Sequence, residues 1–175
     1  MLVRLFRSTG CRKNEIAHLR HEDISPRTKE ILIRTKDCHD CPNCISQGNV
    51  WKPKTKASTR NISISDSLLK ELSALPKGLL FPNNKGKVED HFLRTLARDV
   101  KNSGVTKIKL YRFRDTFITN KLRDSIDLRT VARWAGHDDI NETMRYTAWL
   151  DAQSKGAREA ANREDTRYRT GTDGD

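Results

Sequence analysis

From Leu110 to Gly136 apolar side chains recur at helical spacing, and two breaks divide the run into segments of fixed length. Phe113, Phe117, Ile118 and Leu122 fall on one face of the first segment, which gives a helix there a single buried stripe. Asp127 then stands where a helix N-cap is needed, and Leu128, Val131 and Trp134 face inward until Gly136 stops the next helix. Two such helices must pack on something, and the preceding chain contains the parts.

Residues 1–8 carry Leu2, Val3, Leu5 and Phe6, which suit a buried helix end, and Thr9-Gly10 breaks the pattern. It resumes over residues 11–24 with Ile16 and Leu19 on one face. A helix here puts Arg12 in its first turn and Glu15 three residues on, where the carboxylate can hold the guanidinium. Residues 29–35 read as a strand through Ile31 and Ile33, and a polar loop follows. Residues 49–53 and 60–65 are further strands, with Ile62 and Ile64 facing one way and Asn61, Ser63 and Ser65 the other. Lys52, Lys54 and Lys56 lie between them, at the tip of the expected last hairpin of a small antiparallel sheet.

A short helix capped by Ser65 or Asp66 ends at Pro76 and Gly78. Val88, Phe92, Leu93, Leu96 and Val100 predict another, with Gly104 past its end; His91 within it reads as an ordinary histidine. Asp139 caps a short helix carrying Tyr146, and residues 165–175 read as disordered. The fold class expected is mainly α with a small antiparallel β-sheet.

At 175 residues the chain suits one domain. Its 34 basic residues against 23 acidic give a net charge of +11, an excess that points to a polyanionic partner such as nucleic acid. No window is apolar enough for a membrane span and no signal peptide follows Met1. The cytoplasm is therefore expected, with the four cysteines reduced.

The arginine-rich segment from Tyr111, the pair Gly136-His137 and the downstream Tyr146 bring together chemistry suited to a phosphodiester. Cleaving one without a metal needs an in-line nucleophile, cations on the non-bridging oxygens, a proton acceptor and an acid for the leaving alkoxide. Tyrosine keeps the bond energy in a phosphotyrosyl ester, and the planar fork of arginine matches two phosphate oxygens.

Four segments, in order, resemble the boxes of the tyrosine recombinases, or phage integrase family. Residues 9–24 resemble the first box, which makes Arg12 its catalytic arginine, with Glu15 at the usual acidic position. Residues 52–65 resemble the β-hairpin that holds the catalytic lysine; Lys54 fits the Pro-Lys-Thr form, and Lys56 stands two residues away. Residues 110–119 resemble the His-x-x-Arg box, giving Arg114 as the second arginine, and residues 131–147 supply His137 and Tyr146. The resemblance implies a catalytic domain over residues 1–150 with the DNA breaking-rejoining fold, and a C-terminal helix or disordered tail over 151–175. It also implies cleavage of double-stranded DNA through a 3′-phosphotyrosyl intermediate, no cofactor for the chemistry, and tetrameric self-association on DNA. Alternatives are a remnant that binds DNA without recombining, and a relaxing activity like that of type IB topoisomerases.

The chain departs from the family pattern in three places. Tyr111 stands where the second box usually has histidine; its phenol is too weak an acid–base group for that role and is assigned to positioning. The lysine is ambiguous between Lys54 and Lys56, and Ala135 replaces the usual leucine before Gly136. The N-terminal DNA-clamping domain of full integrases is expected to be absent, since Met1 falls just before the first box. Cys38, Cys41 and Cys44 are extra, spaced so that three thiolates could wrap one structural zinc ion, with His39 or a more distant group as fourth ligand.

Overall fold

The computed structural model describes residues 1–88, 98, 102, 104 and 109–170. In chain order, α1 (Leu2–Thr9) and α2 (Lys13–Ala17) lead into β1 (Ile24–Ser25), β2 (Glu30–Ile33) and β3 (Lys36–Asp37). Next come α3 (Pro42–Ile45), β4 (Val50–Trp51), β5 (Arg60–Ser63) and α4 (Asp66–Ser73). Further along the chain lie α5 (Leu110–Arg123), α6 (Leu128–Ala135) and α7 (Asn141–Thr170).

Gly10 ends α1 in the left-handed conformation, φ 62°, and its amide returns to the carbonyl of Phe6. A Cβ at this position would stand 2.4 Å from the ring of Phe117, so the dihedral and the close approach of α5 both require glycine. Phe6 stacks on Phe113 with ring centroids 6.3 Å apart, which fastens α1 to α5. The main core gathers Leu5, Phe6, Ile16 and Leu19 from the N-terminal helices with Ile31, Ile33 and Ile62 from the sheet and Leu68 and Leu72 from α4. A second cluster joins Phe117 and Ile118 of α5 to Val131 and Ala135 of α6. The caps behave as the sequence predicts. Ser65 accepts from the Leu68 amide, Asp127 accepts from the Thr130 amide, and Gly136 closes α6 at φ 69°.

The sheet differs from expectation. Strands β1, β2 and β5 form one antiparallel sheet, with Ile31 opposite both Ile24 and Ile62, whereas β3 and β4 pair separately through Lys36 and Trp51. Thus β4 and β5 do not form a hairpin, and the lysine-bearing residues 52–59 cross from one sheet to the other. The register explains it: β5 must face β2 to bury Ile62, while Trp51 buries against the ring of His18 instead.

Two helices also have other lengths than expected. Helix α2 stops at Ala17, because Arg20 bridges Leu79 and the Leu19 carbonyl accepts from the Leu80 amide. Helix α7 is not short: it runs 30 residues from Asn141 to Thr170, through most of the expected tail. Its second half is rich in Ala, Arg and Glu, which favour helix without any apolar stripe. The helix predicted from Val88 to Val100, with His91, falls almost wholly outside the described residues, as do residues 171–175. Among the described residues no helix is long and apolar enough to cross a membrane.

Candidate active site

Glu15 is the hub of the site. Its carboxylate accepts from the Arg12 amide at 2.7 Å and from Arg12 Nη1 at 3.0 Å. It also receives both terminal nitrogens of Arg60, each at 2.9 Å. Burial works against this carboxylate, yet the hydrogen bonds and charge of Arg60, joined by Arg12, hold it below the usual carboxylate range. Arg12 is the residue just ahead of α2 rather than in its first turn. The rest of its fork reaches Ser58 Oγ at 2.9 Å and the Gly136 carbonyl at 2.8 Å. Arg60 donates Nε to the Trp134 carbonyl at 2.6 Å. A Cβ on Gly136 would lie 3.0 Å from Arg60 Nη1, so this glycine admits the guanidinium as well as the turn.

Arg114 is buried on α5 and donates Nη1 to the Gly10 carbonyl at 2.8 Å. Burial, then the charges of Arg12 and Arg60, lower its pKa, as expected where three guanidiniums share one carboxylate. Such a group carries surplus positive charge and favours an anion. His137 feels the same surplus. Burial, then Arg114, pushes its pKa down to about 4, so the ring is neutral near pH 7. Its Nδ1 lies 2.7 Å from Thr143 Oγ1, and its Nε2 lies 3.4 Å from the Glu142 carboxylate. With Thr143 donating to Nδ1, the ring proton sits on Nε2, facing an acceptor.

Tyr146 is held differently. Its hydroxyl donates to Asp115 Oδ1 at 2.7 Å, in a cleft of about 550 Å³ between α5 and α7 that Tyr111, Arg123, Arg145 and Trp149 also line. Burial, then Asp115 and Tyr111, push the phenol's pKa upward. Tyr111 itself is exposed. Lys54 and Lys56 are exposed on the crossing segment, which is pinned beside His137 where the Ala57 amide donates to Asp138 at 3.3 Å. The structure therefore gathers Arg12, Arg114 and His137 at one place, with the lysine segment at its rim. Tyr146 rests in the adjoining cleft.

Sequence reasoning missed Arg60, Ser58, Thr143 and Asp115. The signal for Arg60 was available: it shares the inward phase of its strand with Ile62, where a charged residue needs a partner. The three cysteines of the cluster are all buried, although most of the residues between and just after them are exposed. His39 is exposed and does not join them; His18 does, with Nε2 3.4 Å from Cys44 Sγ.

A mostly helical body with small antiparallel sheets, which brings two arginines and a histidine to one place, has the catalytic-domain fold of the DNA breaking-rejoining enzymes. The chain belongs to the phage integrase family, whose sequence profile matches residues 1–153. It is 28% identical over 149 residues to the tyrosine recombinase XerC of Staphylococcus saprophyticus, a match covering 84% of this chain and 48% of that protein. It thus spans about half the length of such relatives. The Tn1549 transposon integrase bound to a circular intermediate DNA superposes with a TM-score of 0.66 at 15% identity, covering 83% of this chain and 52% of that one. The catalytic domain of bacteriophage HP1 integrase does so with a TM-score of 0.57 at 21% identity, over 88% of this chain and 79% of that one.

Proposed function

We propose that this chain is the catalytic domain of a site-specific DNA recombinase, cutting and rejoining double-stranded DNA through a 3′-phosphotyrosyl intermediate. What supports this above all is the anion seat: Arg12 and Arg60 pair with the buried carboxylate of Glu15, and Arg114 lies near enough to feel both their charges, next to a neutral His137. Arg12 and Arg114 take the non-bridging oxygens of the scissile phosphate, and Arg60 and Glu15 hold Arg12 in place. His137 donates Nε2–H to a phosphate oxygen, in the position the Glu142 carboxylate now holds. Tyr146 leaves Asp115, gives up its phenolic proton to solvent, and forms the O–P bond while the bond from phosphorus to the 5′ oxygen breaks. Lys54, on its exposed segment, protonates that oxygen, and Tyr111 positions the phosphate. Reversal by a 5′ hydroxyl of a second strand rejoins the DNA.

The chemistry uses no metal or nucleotide; a structural zinc ion at the cysteine cluster would stand outside the reaction. Residues 1–150 make up the catalytic domain, and residues 151–170 form the rest of α7 beyond it. Copies assemble on DNA as a tetramer, for which α7 offers a long helix with Trp149 half exposed. The test is a nicked suicide duplex that traps the protein–DNA ester. Wild type should form the adduct, and Arg12→Ala or Arg114→Ala should slow it by about 10²–10³-fold, as for removal of a donor to developing charge. Equal rates in wild type and both variants would refute the anion seat.

A further inference from the structure

The residue that follows α2 brings its ring to a cluster of thiols that the proposed chemistry does not use. His18, Cys38 and Cys44 are all buried, and their ligand atoms lie within 4.8 Å of one another. Cys44 also neighbours the thiol of Cys41, likewise buried. We propose that His18, Cys38, Cys41 and Cys44 bind one structural zinc ion, which clamps the helix behind Arg12 to the β3–α3–β4 segment.

The geometry fits the ion. A tetrahedral site with Zn–S of about 2.3 Å and Zn–N of about 2.0 Å has an S···N edge of about 3.5 Å. The Cys44 Sγ to His18 Nε2 distance is 3.4 Å. The other ring nitrogen, Nδ1, lies 2.8 Å from the Asn14 carbonyl, so it carries the proton and leaves the Nε2 lone pair aimed at the thiols. The ring is locked further by stacking on Trp51, centroids 5.1 Å apart. Three thiolates and Zn²⁺ leave one net negative charge, and the cations of Lys36 and Arg20 both act on this corner.

The surroundings explain what the ion would do. The β3–β4 pair has two residues per strand, and α3 has four, too little regular structure to hold itself. Closed Cys₃His sites supply folding energy where a small core cannot. The same ion would hold α2 from its C-terminal end, while Glu15 and Arg12 work at its N-terminal end. It would also brace Trp51, from which the lysine-bearing segment departs. The metal site stands without the recombinase reading; only its consequence for Arg12 rests on that reading.

The test uses the full chain stripped of metal and titrated with Co²⁺, read by the visible bands of a tetrahedral thiolate site, alongside zinc content of the protein as purified. Wild type should hold one zinc per chain and show the cobalt bands, and His39→Ala should match it. His18→Ala should lose stoichiometric metal, whereas His18→Cys should regain it with the stronger charge-transfer of four thiolates. That rescue keeps the test decisive if His18→Ala folds poorly. Wild type without stoichiometric metal would overturn the site, and an unchanged cobalt spectrum in His18→Ala would overturn His18 as the fourth ligand.

Discussion

Tyr146 donates its hydroxyl to Asp115, while Arg114, one residue earlier on the same helix, points the other way to the Gly10 carbonyl. The proposed nucleophile and the proposed phosphate-binding arginine thus sit on two faces of α5. Burial and the hydrogen bond to Asp115 keep the phenol protonated and docked in its cleft, so attack requires this hydrogen bond to break.

Asp115→Ala should therefore release the tyrosine. Adduct formation on a suicide duplex should speed up several-fold, since the net strength of one hydrogen bond to a charged group is about 1.5–3 kcal/mol and part of it is repaid by water. Rapid-quench gels measure this rate. A slower variant would mean that Asp115 accepts the tyrosine's proton during attack.

Glu15→Gln leaves the Arg60 guanidinium buried without its counter-charge. Both side chains are almost fully buried, so the loss should be about 3–5 kcal/mol in urea unfolding. Replacing both partners by apolar residues should cost less in stability while still slowing adduct formation, because Arg12 loses its anchor as well.

The depressed pKa of His137 makes stability depend on pH. The folded state disfavours the charged ring, so the contribution is complete above the unfolded pKa near 6.5 and is lost as pH falls toward about 4. Within that window His137 should add a slope of at most about 1.4 kcal/mol per pH unit. His137→Gln should flatten the curve of urea midpoints between these values.

Gly10→Ala meets both a left-handed dihedral and the ring of Phe117 at 2.4 Å. The dihedral alone costs about 1–2 kcal/mol, and the displaced ring adds to it. The melting temperature should fall further than for Gly48→Ala, where φ is also positive but a Cβ meets nothing within 4 Å.

Local features were legible in the sequence. Asp127 and Gly136 bound their helix because capping is a short-range matter, and the pairing of Arg12 with Glu15 follows from their spacing. The separation of β4 from β5 was not legible, since strand pairing is decided by distant partners such as Ile31 and Lys36. His18 escaped notice because Cys38 stands twenty positions further on, and only folding brings its ring to the thiols. The length of α7 was hidden by its composition: a sequence with no apolar stripe carries no period to read.

Mapping the residue that becomes linked to DNA tests the central claim most directly. The trapped adduct is digested and the nucleotide-bearing peptide sequenced by mass spectrometry. We expect the ester on Tyr146, and none formed by Tyr146→Phe. An adduct on Tyr111, or one that persists in Tyr146→Phe, would contradict it.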